Sequence, residues 1–211
     1  MRGAFITFEG VEGVGKSTQI ALAAAHLRGR GIDPVVTREP GGTALAEKLR
    51  ALVLEPGHGT VCPTAELLIY FAARASHVAE VIRPALEAGR CVLCDRFTDT
   101  TEAYQGGGRG VDAASIRALA GIAHPALEPD LTLVFDAPAD VTHLRLAARG
   151  AGRDRIESED GDFFERVRHA YRAIAAREPR RVHIVDATRP EAEIAAGVAA
   201  MIDGVVAGPG R

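Results

Sequence analysis

A glycine-rich loop near the start of the chain has the residue types that bind phosphate. Residues 9–18 read E-G-V-E-G-V-G-K-S-T and contain the spacing G-x-x-x-x-G-K-S. Glycines allow successive backbone N–H groups to turn toward phosphate oxygens, Lys16 reaches the terminal phosphates, and the Ser17 hydroxyl can ligate Mg²⁺. The pattern therefore predicts a nucleoside triphosphate site, which is formed by Gly10, Val11, Glu12, Gly13, Val14, Gly15, Lys16, Ser17 and Thr18.

The residues on either side of this loop place it between a strand and a helix. Residues 4–8 form an apolar run, and residues 19–28 contain helix formers with apolar residues at helical spacing. The loop therefore leads into a helix N-terminus, where unpaired N–H groups and the helix dipole attract anions. A chance Lys-Ser after glycines is the alternative interpretation, and the strand and helix context argues against it.

Phosphoryl transfer between two anions requires positive charge around the transferring group. Asp95 ends an apolar run, and an acid in that position typically holds Mg²⁺ directly or through water. A helix cap or an ion-pair partner for the neighbouring arginine is the alternative for Asp95. The candidate cations come from separate loops and are Lys16, Arg38, Arg96, Arg149, Arg153 and Arg155.

Apolar runs alternate with helical segments along the rest of the chain. This alternation predicts a parallel sheet with helices on both faces, in which ligands gather at the carboxyl ends of the strands. We therefore expect a three-layer α/β fold of the P-loop NTPase type. The predicted strands are 4–8, 33–37, 91–94, 131–135 and 181–185, and the predicted helices are 19–28, 44–54, 64–87 with Pro84 as a kink or division, 113–123, 138–149, 163–177 and 190–205.

Two glycine-rich stretches interrupt this pattern. Residues 106–110, G-G-G-R-G, are interpreted as a flexible turn before a helix that Asp112 can cap. Residues 150–161 are rich in Gly, Arg and Asp, have no core-facing period, and are interpreted as a mobile loop. We expect one domain over residues 1–211, with a short mobile lid at about 149–161 and a flexible tail at about 206–211.

The composition is that of a single, mildly acidic globular chain. A length of 211 residues with 47% hydrophobic content suits one domain. The net charge of −3 gives no attraction to nucleic acid polymers. The C-x-x-C spacing of Cys91 and Cys94 falls in an apolar run, so buried thiols are preferred over a redox or metal site. Without a membrane-length apolar run or a signal-peptide pattern, we expect a cytoplasmic protein that makes no membrane contact.

Four further motifs accompany the phosphate loop: T-R-E-P-G-G-T at 37–43, D-R-F at 95–97, A-Y-Q-G-G-G-R-G at 103–110 and D-R-I-E at 154–157. With residues 9–18 they resemble, in order and spacing over nearly the whole chain, the bacterial thymidylate kinases. The motifs T-R-E-P-G-G-T and A-Y-Q-G-G-G-R-G are far more specific than the phosphate loop. The resemblance implies transfer of the γ-phosphate of ATP to dTMP in dTTP biosynthesis, with Mg²⁺ as cofactor and a homodimer as the assembly.

The resemblance also implies roles for residues at the donor site and at the phosphate of the acceptor. Lys16 and the loop N–H groups would hold the ATP phosphates, and Ser17 with Asp95 would hold the metal. Arg38 and Arg96 would clamp the phosphate of the acceptor.

Further residues are expected, from the same resemblance, at the sugar and base of the acceptor. Glu12 would meet the sugar 3′-hydroxyl, and Tyr104 would crowd the 2′ position and disfavour ribose. Thr101 and Gln105 would lie near the base.

A helix carries the residues that suit a thymine pocket. Tyr70 and Arg74 are four residues apart and share a helix face, whereas Phe71 points elsewhere. An aromatic plane beside an arginine donor suits a pyrimidine. The family usually has Phe at the position of Tyr70, so either Tyr70 stacks on the base or Phe71 replaces it after a small helix rotation. We favour Tyr70, because core packing accounts for Phe71.

The lid is expected to supply a catalytic arginine. Members of the family with glycine at the position of Gly13 take this arginine from the lid, and residues 150–155 fit that arrangement with slightly longer spacing than usual. Solvated loop charge is the alternative for Arg153. The predicted catalytic cations are therefore Lys16, Arg96, Arg149 and Arg155.

Two other functions are alternatives to dTMP phosphorylation. A kinase for another nucleoside monophosphate or for a nucleoside is the nearest, and two arginines for the acceptor phosphate favour a monophosphate. A nucleotide-dependent regulatory binding protein is the other. Guanine-specific switches carry an N-K-x-D motif, and this chain contains no asparagine.

Overall fold

The computed structural model describes residues 2–55, 61–149 and 154–207. Its centre is a sheet of five parallel strands in the order β2-β3-β1-β4-β5. This confirms the predicted parallel sheet. The strands are β1 (Phe5–Glu9), β2 (Val35–Arg38), β3 (Val92–Asp95), β4 (Leu131–Asp136) and β5 (Val182–Asp186).

Nine α-helices are found within the described ranges, and two π-helical turns, Val78–Ile82 and Glu102–Gly108, continue two of them. None of these helices is both long and apolar enough to cross a membrane. The helices are α1 (Lys16–Gly29), α2 (Ala44–Leu54), α3 (Pro63–His77), α4 (Arg83–Glu87), α5 (Thr98–Thr101), α6 (Ala113–Ala123), α7 (Ala139–Arg149), α8 (Gly161–Arg177) and α9 (Glu191–Val206).

Both faces of the sheet are covered because its central strand presents apolar side chains to each face. Ile6 and Phe8 of β1 belong to the larger core cluster, which also contains residues of α1, α8 and α9. Phe5 points to the opposite face and packs with Phe97 and with residues of the Val78–Ile82 turn and α4. The three-layer arrangement thus follows from strands that are buried on both sides.

Parallel pairing brings the carboxyl ends of three strands to one level. Asp95 at the end of β3 is in register with Phe8 on one side and with Arg38 on the other. The loops that leave β1, β2 and β3 therefore start next to one another, as predicted for a ligand site at this edge.

The long predicted helix at 64–87 is divided as expected at its proline. α3 ends at His77, the π-helical turn Val78–Ile82 follows, and α4 starts with Pro84 in its first turn. Because proline lacks an N–H group and its ring clashes with the preceding turn, a regular helix cannot continue through it.

The predicted flexible turn at 106–110 is wrong, because residues Glu102–Gly108 continue α5 as a π-helical turn. The glycines permit close packing against α8. A Cβ atom on Gly107 would lie 2.6 Å from the Cβ of Ala170, and one on Gly108 would lie 2.5 Å from the ring of Phe163. Close packing of the glycine backbone against side chains of α8, and not mobility, explains this glycine run.

The expected lid and tail are only partly described. α7 ends at Arg149, residues 155–158 form a turn, and Asp160 caps the start of α8 by accepting a hydrogen bond from the N–H of Phe163. Residues 150–153 and 208–211 lie outside the described residues.

Candidate active site

The phosphate loop joins β1 to α1 as predicted. Gly15 stands at the N-cap of α1 with a left-handed φ of 93°, and, its two chain neighbours apart, no atom of the described residues lies within 4 Å of where its Cβ would be. The Nζ of Lys16 donates hydrogen bonds to the carbonyl oxygens of Gly10 (2.9 Å) and Val11 (3.0 Å). Ser17 is exposed in the first turn of α1. The loop is therefore shaped around an open space at a helix N-terminus, which suits an anion.

Burial of Lys16 changes its proton affinity. Burial, followed by repulsion from Arg96, lowers the pKa of Lys16 from 10.5 to about 8. In the free protein the pKa of the Lys16 ammonium is therefore only slightly above neutral pH, because the loop carbonyls do not replace all of the solvation that burial removes. A bound phosphate supplies the missing negative charge.

Arg96 has an unusual backbone conformation. Its φ is 70°, in the left-handed region, which costs a residue other than glycine on the order of 1–3 kcal/mol. Two backbone hydrogen bonds hold it there, since the Arg96 N–H donates to the carbonyl of Phe8 (2.9 Å) and the Phe97 N–H donates to Glu9 Oε1 (2.7 Å). The strain therefore persists only because the neighbouring strand supplies both acceptors.

Glu9 was not among the predicted site residues, although it supports Arg96. Its side chain is fully buried and accepts hydrogen bonds from Phe97, from Tyr171 (3.2 Å) and from Thr100. Burial, followed by repulsion from Asp99, raises the pKa of Glu9 to about 7. The signal in the sequence is an acid that ends an otherwise apolar strand, at the first position of the predicted phosphate loop.

The side chain of Arg96 is directed onto the phosphate loop. Its Nη2 donates to Glu12 Oε1 at 2.6 Å, and the hydroxyl of Tyr104 donates to Glu12 Oε2 at 2.7 Å. Burial opposes ionisation of Glu12, but the charges of Arg96 and Lys16 hold the pKa of this carboxyl below its usual value. Glu12 is therefore an ionised hydrogen-bond acceptor within the phosphate loop.

A half-open pocket with an empty volume of about 510 Å³ adjoins this ion pair. Most of the residues predicted to bind the acceptor line it. Residues that the sequence reasoning missed also contribute, chiefly from the loop after β2 and from the segment 154–156. The pocket is lined by Glu12, Glu39, Pro40, Arg50, Leu54, Tyr70, Arg74, Arg96, Phe97, Thr100, Thr101, Tyr104, Gln105, Asp154 and Ile156.

Tyr70 and Phe71 have different environments. Tyr70 lines the pocket, and burial raises its pKa above the usual value, so its hydroxyl keeps its proton. Phe71 is buried among Leu67 and Ile116 and does not appear among the described residues of the pocket wall. Phe71 therefore packs in the core, as expected, and its ring also lies 4.9 Å from the guanidinium of Arg74.

Arg74 is buried and almost completely bonded. Its Nε donates to Glu39 at 2.6 Å, and its Nη2 donates to the carbonyl of Phe97 and to the hydroxyl of Thr101. His77 Nδ1 lies 3.0 Å from the second oxygen of Glu39. Within the described part of the chain, Nη1 of Arg74 is buried with no hydrogen-bond partner. An unpartnered buried donor in a pocket wall suits an acceptor atom on a ligand.

Arg38, the last residue of β2, does not line the pocket as predicted, and Arg50 of α2, which was not predicted, does. Arg38 forms an ion pair with Glu47 (2.8 Å), is half exposed, and is absent from the described pocket wall. Arg50 lines the pocket instead and donates to the carbonyl of Pro40 at 3.0 Å. Arg50 shares a helix face of α2 with the buried Ala46 and Val53, and this spacing was the signal that could have identified it.

Asp95 has the features expected of the predicted metal ligand. It is half buried at the end of β3, and its Oδ1 has no hydrogen-bond partner among the residues that the structure describes. An orphaned carboxylate oxygen beside a phosphate loop suits a hard cation such as Mg²⁺, which takes few protein ligands and completes its shell with phosphate and water. Ser17, at the start of α1, is the other candidate.

The predicted lid arginines are not brought together by the structure. Arg149 ends α7, but its side chain lies outside what is described, as does Arg153. Arg155 is bound to Glu66 and to the carbonyl of Val53, so it faces α2 and α3. This differs from the prediction of a contact with the transferring phosphate.

The fold and site define a class of protein. A phosphate loop after the central strand of a parallel sheet, next to a second pocket lined by Arg50, Arg74 and Arg96, is the arrangement of a P-loop phosphotransferase with an anionic acceptor.

Comparison with known proteins places the chain within this class. The sequence pattern of the family described as thymidylate kinase matches residues 8–198. The chain is 52% identical over 206 residues to the thymidylate kinase of Pseudomonas entomophila (strain L48), with 98% of each chain covered, and 53% identical over 196 residues to that of Desulfovibrio desulfuricans (strain ATCC 27774), with 90% of each covered. The crystal structure of thymidylate kinase from Ehrlichia chaffeensis has 32% identity and a TM-score of 0.76, covering 96% of this chain and 99% of that one.

The chain belongs to the thymidylate kinase family. It is an ATP-dependent nucleoside monophosphate kinase, and the family resemblance inferred from the five motifs is confirmed.

The lowered pKa of Lys16 predicts that ATP binding weakens as pH rises above about 8. The ATP phosphates, fully ionised by then, favour the charged amine, so binding takes up a proton wherever free Lys16 has lost its own. We expect the Kd for ATP to rise between pH 7.5 and 9.5, with proton uptake measured by calorimetry in buffers of different ionisation enthalpy. Lys48→Ala, which changes the other lysine of the chain, is the control and should keep the same slope. A Kd that stays constant over this range contradicts the prediction.

Proposed function

We propose that this chain transfers the γ-phosphate of ATP to dTMP, which gives ADP and dTDP in the supply of dTTP. The observation that carries the proposal is the Glu12–Arg96 ion pair, which lies between the phosphate loop and the pocket that contains Tyr70, Arg74 and Tyr104. Donor and acceptor phosphates would meet at this pair.

The base would be recognised by Arg74 and Tyr70. The free Nη1 donor of Arg74 suits the O4 carbonyl of thymine, whereas cytosine presents an amino group at that position. The Tyr70 ring would stack on the base, with Thr101 and Gln105 nearby. A site built to donate to a carbonyl rejects an analogue that cannot accept.

The sugar would be recognised by the pair of Glu12 and Tyr104. Glu12 is held ionised and would accept a hydrogen bond from the 3′-hydroxyl. Tyr104 is buried, its hydroxyl is committed to Glu12, and its ring lies 5.1 Å from the guanidinium of Arg96. These contacts hold the Tyr104 ring in place, and the ring would therefore collide with a ribose 2′-hydroxyl.

The acceptor phosphate would be held by arginines. Arg96 lies beside Glu12 at the required place, and Arg50 lines the same pocket. Arg38 would join them only after it leaves Glu47, a pair that is half exposed and therefore weak. Positive charge from several strand ends then offsets the repulsion between the two nucleotides.

The donor would be held by the phosphate loop. Lys16 and the N–H groups at the start of α1 would bind the ATP phosphates, and Ser17 and Asp95 would hold Mg²⁺. The metal neutralises phosphate charge when bound. Arg149 remains the lid residue proposed to reach the transferring phosphate.

The specificity of the proposed reaction is tested by a coupled assay of ADP release with dTMP, dUMP, dCMP and UMP. We expect dTMP to react fastest, dUMP to be weaker for lack of the methyl group, and dCMP and UMP to be poor for the reasons given for Arg74 and Tyr104. The missing methyl corresponds to roughly 10–200-fold. Equal rates with dTMP and UMP would contradict the role of Tyr104. A faster reaction with another monophosphate would identify a different kinase, and no turnover with any would favour a binding protein.

The role of Arg96 is tested by Arg96→Ala and Arg96→Gly. Each should lower kcat/KM for dTMP by at least about a hundredfold, because preorganised charge is lost. Glycine adopts a φ of 70° without strain, so Arg96→Gly separates loss of the side chain from backbone strain and should unfold at a temperature no lower than Arg96→Ala. Arg28→Ala, on the exposed part of α1, is the control. Near-normal activity in Arg96→Gly would refute the role.

The protein is also proposed to be a cytoplasmic homodimer. Exposed leucines on α2 and α3 form an apolar surface, and Leu45 and Leu52, seven residues apart, share one face of α2. Leu68 of α3 is half exposed as well. A second copy of the chain would cover this surface, and ATP as donor supports a location inside the cell.

Sedimentation at micromolar concentration should give the mass of two chains, and Leu52→Glu should shift it toward one by placing a charge in the apolar contact. Leu144→Glu changes an exposed leucine of α7 and should leave the mass unchanged. A single-chain mass for the unaltered protein would end the proposal.

A further inference from the structure

Arg155 is bound by the ends of two helices. Its backbone N–H donates to the carbonyl of Leu54 (3.1 Å), its Nε donates to the carbonyl of Val53 (2.9 Å), and its Nη2 donates to the carboxylate of Glu66. Val53 and Leu54 are the last residues of α2, and the final turn of that helix, A-L-V-L, contains no basic residue. A residue about a hundred positions away therefore caps the carbonyl end of α2.

Glu66 is the anion at the centre of this contact. It is fully buried on α3, one turn before Tyr70. It also accepts hydrogen bonds from Gln105 Nε2 (2.8 Å) and from Arg109 Nε (3.3 Å), and Arg109 in turn pairs with Glu159 at 2.7 Å. One buried carboxylate thus joins α3, the Glu102–Gly108 turn and the segment around 154–159.

The neighbours of Arg155 form part of the acceptor pocket. Asp154, Ile156 and Leu54 line it, whereas Arg155 itself is not among the described pocket-lining residues. Ile156 is buried, which fixes the segment against the core. The bonds of Arg155 therefore determine where one wall of the pocket stands.

We propose that Arg155 is a positioning residue, which holds the Asp154 and Ile156 wall of the acceptor pocket through Glu66 and the C-terminus of α2 and makes no contact with the transferring phosphate. The proposal rests on the proposed function only in assigning this pocket to the acceptor nucleotide. Every polar contact given for its side chain faces α2 or α3. A catalytic arginine would need its guanidinium free for the phosphate.

The two roles predict different kinetics for Arg155→Ala. A positioning role predicts that the Kd and KM for dTMP rise about tenfold, as expected for loss of a charged hydrogen bond, while kcat at saturating dTMP and the Kd for ATP change less than about threefold. A catalytic arginine predicts a loss of kcat of roughly a thousandfold or more with dTMP affinity kept. The second pattern would overturn the proposal.

Variants of Glu66 test whether the effect passes through this contact. In a Glu66→Gln background, Arg155→Ala should weaken dTMP binding less than it does in the native protein, because residues that act together are not additive. Arg155→Lys keeps the charge but cannot reach two helices at once, so it should give an intermediate Kd. Arg189→Ala, which removes an exposed arginine of similar size, should match the native protein. Full additivity of the two changes would refute the link.

A measurement without nucleotide keeps this inference separate from the proposed function. Amide hydrogen exchange in the last turn of α2 should become faster in Arg155→Ala than in the native protein and Arg189→Ala, since the helix end loses its cap. This readout stands even if dTMP is not the acceptor. Unchanged exchange in α2 together with unchanged dTMP affinity would show that Arg155 positions nothing.

Discussion

The partly buried ion pair between Glu12 and Arg96 is the contact on which the rest of the site depends. It joins the phosphate loop after β1 to the turn after β3, two neighbouring strands of the sheet. Removing one partner of a fully buried pair typically costs about 3–5 kcal/mol, and a pair that solvent still reaches costs less. The pair joins the two loops in the free protein, so the loops proposed to hold donor and acceptor are already assembled, and binding does not have to supply the free energy of ordering them.

Behind this pair, the protein maintains a backbone that is unfavourable by itself. The left-handed φ of Arg96 is kept by acceptors from β1, and the stronger of them, Glu9, is buried at the cost of a raised pKa. Strain of this kind persists only where surrounding structure over-determines it. The consequence is a guanidinium that leaves the sheet toward Glu12 instead of continuing along the strand.

The acceptor pocket repeats the same physical device in its other walls. Glu39 is buried and holds Arg74 and His77, and burial opposes its ionisation while Arg74 keeps its pKa below the usual value. Glu66 is buried and holds Arg155 and Arg109. In each case a carboxylate shielded from solvent fixes arginines: Arg74 lines the cavity itself, whereas Arg155 holds the segment of Asp154 and Ile156 that lines it. Rigid cations suit a pocket that must recognise a planar base and a phosphate.

The parallel sheet and the phosphate loop can be predicted from the sequence alone, because glycine spacing and apolar periodicity are signals that act over a few residues. The family can be predicted from the order and spacing of the five motifs. Motif resemblance also predicted Arg96, Tyr104, Arg74 and Tyr70 as acceptor-binding residues, and all four line one pocket. The helical conformation of residues 102–108 is evident only in the folded chain, since their glycines pack against α8, which is distant in sequence. The tertiary structure likewise decided between Tyr70 and Phe71 for the pocket wall and directed Arg155 to Glu66, because those choices depend on contacts between residues far apart in the chain, which no local pattern records.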